Sequence, residues 1–231
     1  MRIVFALKIF LWSLLSASSA YAQARCALSL VLAIDVSSSV DQDEYALQMQ
    51  GIANALRDEE VIEAIRLSGG IQLFAFEWSG RRQQVDILPW TYLNDRTGLV
   101  AAAEVIGRHP RSYSDFPTAL GFALGYSAIQ LQKAPLACSR QAIDVSGDGV
   151  NNDGYEPGVA YRNFVFDGVQ VNGLVIVGAR PEPVPYFKSD VIFGPGAFVE
   201  VAAGFDDYER AMKRKLLREI NGSALSLLSR D

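Results

Sequence analysis

The feature that most constrains the fold is an apolar run that stops on an acid: Leu28-Ser29-Leu30-Val31-Leu32-Ala33-Ile34, then Asp35. A strand with one wet face alternates polar and apolar residues, whereas a near-continuous apolar run of this length is a strand buried on both faces. Helices must then cover both sides of its sheet, and the sequence supplies them. Asp41, Asp43 and Glu44 stand where a helix N-terminus favours negative charge, and Tyr45, Met49, Ile52 and Leu56 follow at helical spacing. The alternation continues with a helix over Glu59 to Leu67, a strand from Ile71 to Glu77, and Gln84 to Leu88 returning as an edge hairpin. Helices over Asp95–Arg108 and Thr118–Gln132 precede a strand from Gln141 to Ser146. A polar loop from Gly147 to Pro157 leads to a helix near Val159–Phe166 and a strand over Val169–Val177. Pro181, Pro183 and Pro185 mark a loop, and a short strand near Ala197–Val201 and a helix from Asp206 to about Ile220 complete the pattern. Strands alternating with helices predict an α/β fold: a doubly wound, mostly parallel sheet with helices on both faces and one antiparallel edge strand. In the last helix Tyr208, Met212, Leu216 and Ile220 form the apolar stripe, while Lys213, Arg214, Lys215 and Arg218 read as a solvated face.

The N-terminus reads as a secretory signal peptide over residues 1–24. Basic Arg2 and Lys8, an apolar run around Ile9 to Leu15, and the small-residue end Ala22-Gln23-Ala24 come in that order. The apolar run is shorter than the roughly 18–20 residues that span a bilayer, and no later segment is long and apolar enough, so no stable membrane insertion is expected after cleavage. Residues 25–221 then form one domain and 222–231 a C-terminal tail. The formal charge is −5, or −7 once Arg2 and Lys8 are removed, and no positive field favours nucleic acid. In an exported chain the two cysteines are free to pair. Cys26 lies nine residues before Asp35 and Cys138 ten before Asp148, so two neighbouring strands with their acids level at one end bring the cysteines together at the other. The single histidine, His109, precludes a multi-His metal site and reads as a loop residue before Pro110.

In a doubly wound sheet ligands sit outside the C-terminal ends of the strands, so the loops that follow them carry function. Two stand out: Asp35-Val36-Ser37-Ser38-Ser39, and Ser146-Gly147-Asp148-Gly149-Val150-Asn151-Asn152-Asp153-Gly154. Asp35-x-Ser37-x-Ser39 offers one carboxylate and two hydroxyls at alternate positions of a strand-to-helix turn. Oxygen-only donors of this kind suit a hard cation, Mg²⁺ or else Mn²⁺ or Ca²⁺. The competing reading of the same serines is a helix cap.

Asp35-x-Ser37-x-Ser39 after a buried first strand, Thr118-Ala119-Leu120 opening a central helix, and Asp148-Gly149 after a later strand resemble the metal-ion-dependent adhesion site of von Willebrand factor type A domains. The strings Ala33 to Val40, Phe76-Glu77-Trp78, Ile143 to Asn152 and Asn172-Gly173-Leu174 further resemble a bacterial family of exported proteins, of unknown function, with this kind of domain. The resemblance implies a von Willebrand factor type A or Rossmann-like fold. It also implies a cation held by Asp35, Ser37, Ser39, Thr118 and Asp148, with Ser114 or Asp115 as alternative third-loop contacts. The implied function is non-enzymatic: a periplasmic or secreted module that docks an unknown protein through that protein's exposed Asp or Glu. Glu77, Trp78, Asp115, Asn151, Asn152 and Asp153 form the candidate rim. Two rivals stand beside this reading. The string Gly147 to Asp153 also resembles the acidic motif of haloacid-dehalogenase-type phosphatases, with Asp35 as nucleophile, but Ser37 stands where those enzymes carry a second carboxylate. The other rival is a metal-free interaction scaffold.

Overall fold

The computed structural model of the chain describes residues 26–228 and the side chains of residues 26–222. The signal-peptide reading of residues 1–24 lies outside the described residues. Six strands form one sheet: β1 (Leu28–Asp35), β2 (Ile71–Trp78), β3 (Gln84–Leu93), β4 (Arg140–Gly147), β5 (Val169–Ile176) and β6 (Val199–Ala202). Their order is β3-β2-β1-β4-β5-β6, with only the β2–β3 pair antiparallel. All eight residues of β1 are buried, as a central strand covered on both faces requires.

The side chains of β1 divide the core in two. Leu28, Leu30, Leu32 and Ile34 join a cluster with α1 (Gln42–Arg57), α2 (Glu59–Ser68), α3 (Arg96–Gly107) and α7 (Tyr208–Leu228). Val31 and Ala33 face the other layer, with α4 (Leu120–Gln132), α5 (Pro157–Asn163) and the segment around Phe187 and Val191. At the N-terminal end of the strands Cys26 and Cys138 are joined by a disulfide, with their Cα atoms 4.5 Å apart. Among the described residues no helix is long and apolar enough to cross a membrane.

Some boundaries differ from the sequence reading. The edge strand β3 continues through Pro89 to Leu93; an edge position accommodates Pro because one side of the strand has no neighbour to receive an N–H. The loop expected at 181–185 contains a short helix, α6 (Pro183–Tyr186), which begins with Pro at its first turn, where a missing N–H costs nothing, and leads into a wider turn over Phe187–Val191. The last helix runs to Leu228 instead of ending near Ile220. Its basic residues are not one solvated face. Lys215 is wholly buried, with Nζ 2.7 Å from Asp144 Oδ1 and 2.7 Å from Glu219 Oε1. The apolar stripe of α7 is wide enough to take Lys215 inward, and a charge there demands the buried partners it has.

Candidate metal site

β1 and β4 are adjacent and parallel, with Ile34 level with Ser146, so Asp35 and the turn leading to Asp148 emerge side by side at one end of the sheet. The turn after β1 does not cap α1. Asp41 does, accepting from the Glu44 N–H at 2.8 Å while the Glu44 carboxylate accepts from the Asp41 N–H at 2.8 Å. Ser37 and Ser39 are thereby released from the capping role.

Their hydroxyls turn toward one another and toward the other two loops. Ser37 Oγ and Ser39 Oγ are 3.3 Å apart, Thr118 Oγ1 lies 3.3 Å from Ser37 Oγ, and Ser39 Oγ donates to Asp148 Oδ1 at 2.8 Å. Asp35 is fully buried; its Oδ1 accepts from the Ser37 N–H at 2.8 Å, and its Oδ2 has no hydrogen-bond partner among the described residues. Gly147 makes room for that carboxylate, since a Cβ there would stand 3.0 Å from Asp35 Oδ2. The five residues Asp35, Ser37, Ser39, Thr118 and Asp148 thus form one group. Ser114 and Asp115 do not join it: the Ser114 hydroxyl donates to the Asp115 carboxylate at 3.0 Å, and both residues are exposed.

The electrostatics of the group are those of two acids without a cation. Burial, then the charge of Asp148, pushes the Asp35 carboxyl up to about 7. Burial likewise raises Asp148, against the hydrogen bond from Ser39. Neither has an ion-pair partner among the described residues. An oxygen-binding cation fits this donor set: a buried carboxylate oxygen without a partner, a second carboxylate beside it, and hydroxyls at separations longer than the usual 2.7–2.8 Å of a well-made O–H···O bond. Among the described residues no cluster of three or more His, Cys, Asp or Glu side chains could hold a metal, so any ion here depends on hydroxyls.

The expected rim needs correction. Glu77 and Trp78 are both wholly buried, because β2 continues through them and the loop before α4 closes over its end. Glu77 accepts from the Tyr45 hydroxyl at 2.6 Å and from the Ser112 N–H at 3.1 Å. Asn151 and Asn152 turn their carbonyls inward, onto the N–H groups of Leu120 and Thr118, each at 2.8 Å. Asp115 and Asp153 remain at the surface, Asp153 held by Arg81 at 2.6 Å. His109 lies in the loop as expected, with Nε2 3.8 Å from Glu77; no hydroxyl or thiol is hydrogen-bonded to that nitrogen. What sequence reasoning missed is Arg111, whose Nη2 donates to the carbonyls of Val36 and Ser37, both at 3.1 Å. An isolated loop arginine carries no sequence signal for such backbone contacts.

Residues 25–224 match the family described as "Protein of unknown function (DUF1194)". The chain belongs to that family. No curated protein matches this DUF1194 chain. Solved structures similar to it include proximal thread matrix protein 1 of the mussel byssus, with a TM-score of 0.64, 12% identity, and coverage of 84% of this chain and 47% of that one. A von Willebrand factor type A protein from Catenulispora acidiphila has a TM-score of 0.61 and 16% identity, covering 86% of this chain and 43% of that one. The PilB minor pilin from Streptococcus sanguinis has a TM-score of 0.64 and 16% identity, covering 90% and 64%. The DUF1194 chain therefore has a von Willebrand factor type A-like fold, and it spans about half the length or less of the first two of these proteins.

Proposed function

We propose that this domain is an exported, metal-dependent protein-binding module, in which Asp35, Ser37, Ser39, Thr118 and Asp148 hold a divalent cation that receives an Asp or Glu from a partner protein. The observation that carries this reading is the pair of buried acids, Asp35 and Asp148, set beside three hydroxyls, with no cationic side chain paired to either among the described residues. A bound ion supplies residual positive charge and an exchangeable coordination position, because neutral hydroxyls quench its charge less than carboxylates do. The chain's own residues supply the frame. Asp35 stays unexposed behind the turn, whereas Ser39 and its neighbour Ser38 reach solvent, where a partner carboxylate would arrive. Asp115, Asp153 and Arg81 border the approach and select the partner by charge and shape.

Mg²⁺ is the ion we propose, from the all-oxygen donor set. The mussel thread matrix protein, in one structure, has zinc in its metal-ion-dependent adhesion motif, which supports a divalent ion at such a fold without choosing between metals. Export to the periplasm or medium is supported by the order of residues 1–24 and by the similarity to a pilus adhesin and a minor pilin. No covalent chemistry is assigned to the site, since among the described residues no histidine or lysine is hydrogen-bonded to the Ser37 hydroxyl.

Titration calorimetry with Mg²⁺ and Mn²⁺ tests the ion: one site in the wild type, abolished in Asp35→Ala without unfolding. A pull-down from the native envelope, with and without EDTA and with Ser37→Ala alongside, tests the docking. A partner retained through both EDTA and Ser37→Ala identifies a metal-free scaffold instead. Phosphate-ester turnover that disappears in Asp35→Asn identifies a phosphatase.

A further inference from the structure

A ring of carboxylates can gather itself around a cation by Coulomb attraction, but three of the five donors here are neutral hydroxyls on two different loops. Weak donors add up only if their positions are set before the ion arrives. The backbone around these hydroxyls is pinned, and by side chains outside the donor set. The Ser37 carbonyl accepts from Arg111 Nη2 at 3.1 Å and from the Val40 N–H at 3.0 Å. The Val36 carbonyl accepts from the same Nη2 at 3.1 Å, and the Ser38 N–H donates to the Phe116 carbonyl at 2.9 Å. Arg111 is held in turn: its Nε donates to the Tyr113 carbonyl at 2.7 Å, and its guanidinium lies 5.9 Å from the centroid of the Tyr45 ring, whose hydroxyl is anchored on buried Glu77.

Thr118 is fixed from the opposite side. Its N–H donates to Asn152 Oδ1 at 2.8 Å, and its carbonyl accepts from the N–H groups of Asn152 at 3.0 Å and Asp153 at 3.2 Å. The residue that opens α4, Ala119, has no side-chain cap, and Asn151 supplies one from the neighbouring loop by accepting from the Leu120 N–H at 2.8 Å. With both peptides of Thr118 held, little beyond its side-chain torsion is left to adjust.

We propose that Arg111 and Asn152 are positioning residues of the candidate metal site, setting Ser37 and Thr118 respectively from outside the donor set. The proposal rests on the reading above that these donors hold a cation. Replacing either residue leaves all five donors in the chain but releases one loop, so cation affinity falls while the fold persists. Outer groups that orient metal ligands are worth about 10- to 100-fold in affinity.

The test is Mn²⁺ binding to the purified domain, read by electron paramagnetic resonance, in wild type, Asp35→Asn, Arg111→Lys, Asn152→Ala, Thr118→Ala and the Thr118→Ala/Asn152→Ala double variant, with circular dichroism as the check on folding. Arg111→Lys keeps the charge but cannot hold the Tyr113 carbonyl and the Val36 and Ser37 carbonyls at once, and Asn152→Ala changes an exposed residue, so the two variants test the idea independently. The expected result is a loss of about tenfold in affinity for each single variant. Because Asn152 acts through Thr118, its removal should cost little more once Thr118 is alanine; a merely structural contribution would add in full. If both single variants bind within about twofold of wild type, or if the Asn152 and Thr118 losses add fully, the positioning role is wrong even though the wild type binds and Asp35→Asn does not. A wild type that binds no Mn²⁺ overturns the metal reading and this proposal together.

Discussion

Asp144 on β4 and Asp35 on β1 are both buried aspartates on adjacent strands, and burial pushes both carboxyls up to about 7. Their surroundings differ in one respect. Asp144 meets a cation that the chain itself provides, Lys215 from α7, with Nζ 2.7 Å from Asp144 Oδ1 and from Glu219 Oε1, and Glu219 also accepts from Asn172 Nδ2 at 2.8 Å. The Lys215 ammonium thus forms an ion pair with each of the two carboxylates. Asp35 meets another acid, Asp148, and three hydroxyls, while Arg111, the nearest basic influence, spends its donors on backbone carbonyls. A buried acid pair completed from within is structural, and the proposed role of Asp35 and Asp148 requires that theirs be completed from outside.

The largest expected effect is on the internally completed side. Lys215→Met keeps the length of the side chain but leaves Asp144 and Glu219 buried without their cation. Breaking a buried pair in this way costs about 3–5 kcal/mol, to be read as a lower denaturant midpoint in urea. A cost near zero would mean that water reaches the cluster and that the contrast with Asp35 is unfounded.

An added cation should act on the other side alone. Ligand at about 100 times its dissociation constant stabilises by about 2.7 kcal/mol, so saturating Mg²⁺ should raise the melting temperature of the wild type and of Asp144→Asn, but not that of Asp35→Asn. Equal rises in all three would point to ions bound elsewhere on the acidic surface.

A smaller effect is expected from pH. The groups facing Asp144 are Lys215, Glu219 and Tyr208, all from α7. Its carboxyl is raised from 3.8 to about 7, by burial first and Glu219 next, against the pull of Lys215. The folded state therefore holds this proton more tightly than the unfolded chain does. The stability it contributes is complete below about pH 4 and is lost as pH rises through about 7. Metal-free wild type should thus lose stability from pH 5 to pH 8 more steeply than Asp144→Asn, in which Asp35 is unchanged. Parallel curves in urea unfolding would remove Asp144 from the account.

The contrast between the two regions also separates what was legible in the sequence from what was not. Strand β1 announced itself because burial on both faces demands an uninterrupted apolar run, and the residues just past β1 and β4 were legible as neighbours because parallel strands deliver their ends to one edge. The cysteine pair followed from the same register. Lys215 was not legible: it sits among Lys213, Arg214 and Arg218, two of which pair at the surface with Asp58 and Glu200, and only the packing of α7 on the sheet turns it inward. Glu77 misled for a related reason, since a polar residue at a strand end reads as rim until the loop that covers it is placed. Asn151, Asn152 and Arg111 act on backbone groups 31 to 75 residues away, and contacts with peptide groups leave no complementary residue type in the sequence to betray them.

The smallest effect tests the comparison by its size at the two positions. Asn at position 35 keeps the acceptor for the Ser37 N–H and the shape of the side chain, but removes a buried charge that lies beside Asp148. In the absence of a cation, Asp35→Asn should therefore leave stability unchanged or raise it by about 1 kcal/mol, because the group removed was costly to bury and had no charged partner. Asp144→Asn also removes a buried charge, but it takes an acid away from Lys215 at the same time and should therefore gain less. Urea unfolding of both variants in EDTA at pH 8, where both acids are largely charged, puts the two aspartates on one scale. A larger gain at position 35 than at 144 follows only if one acid has a cation within the fold and the other has not. If both substitutions change stability alike, Asp35 is already compensated by the chain, and the electrostatic argument for an external cation at the strand ends fails.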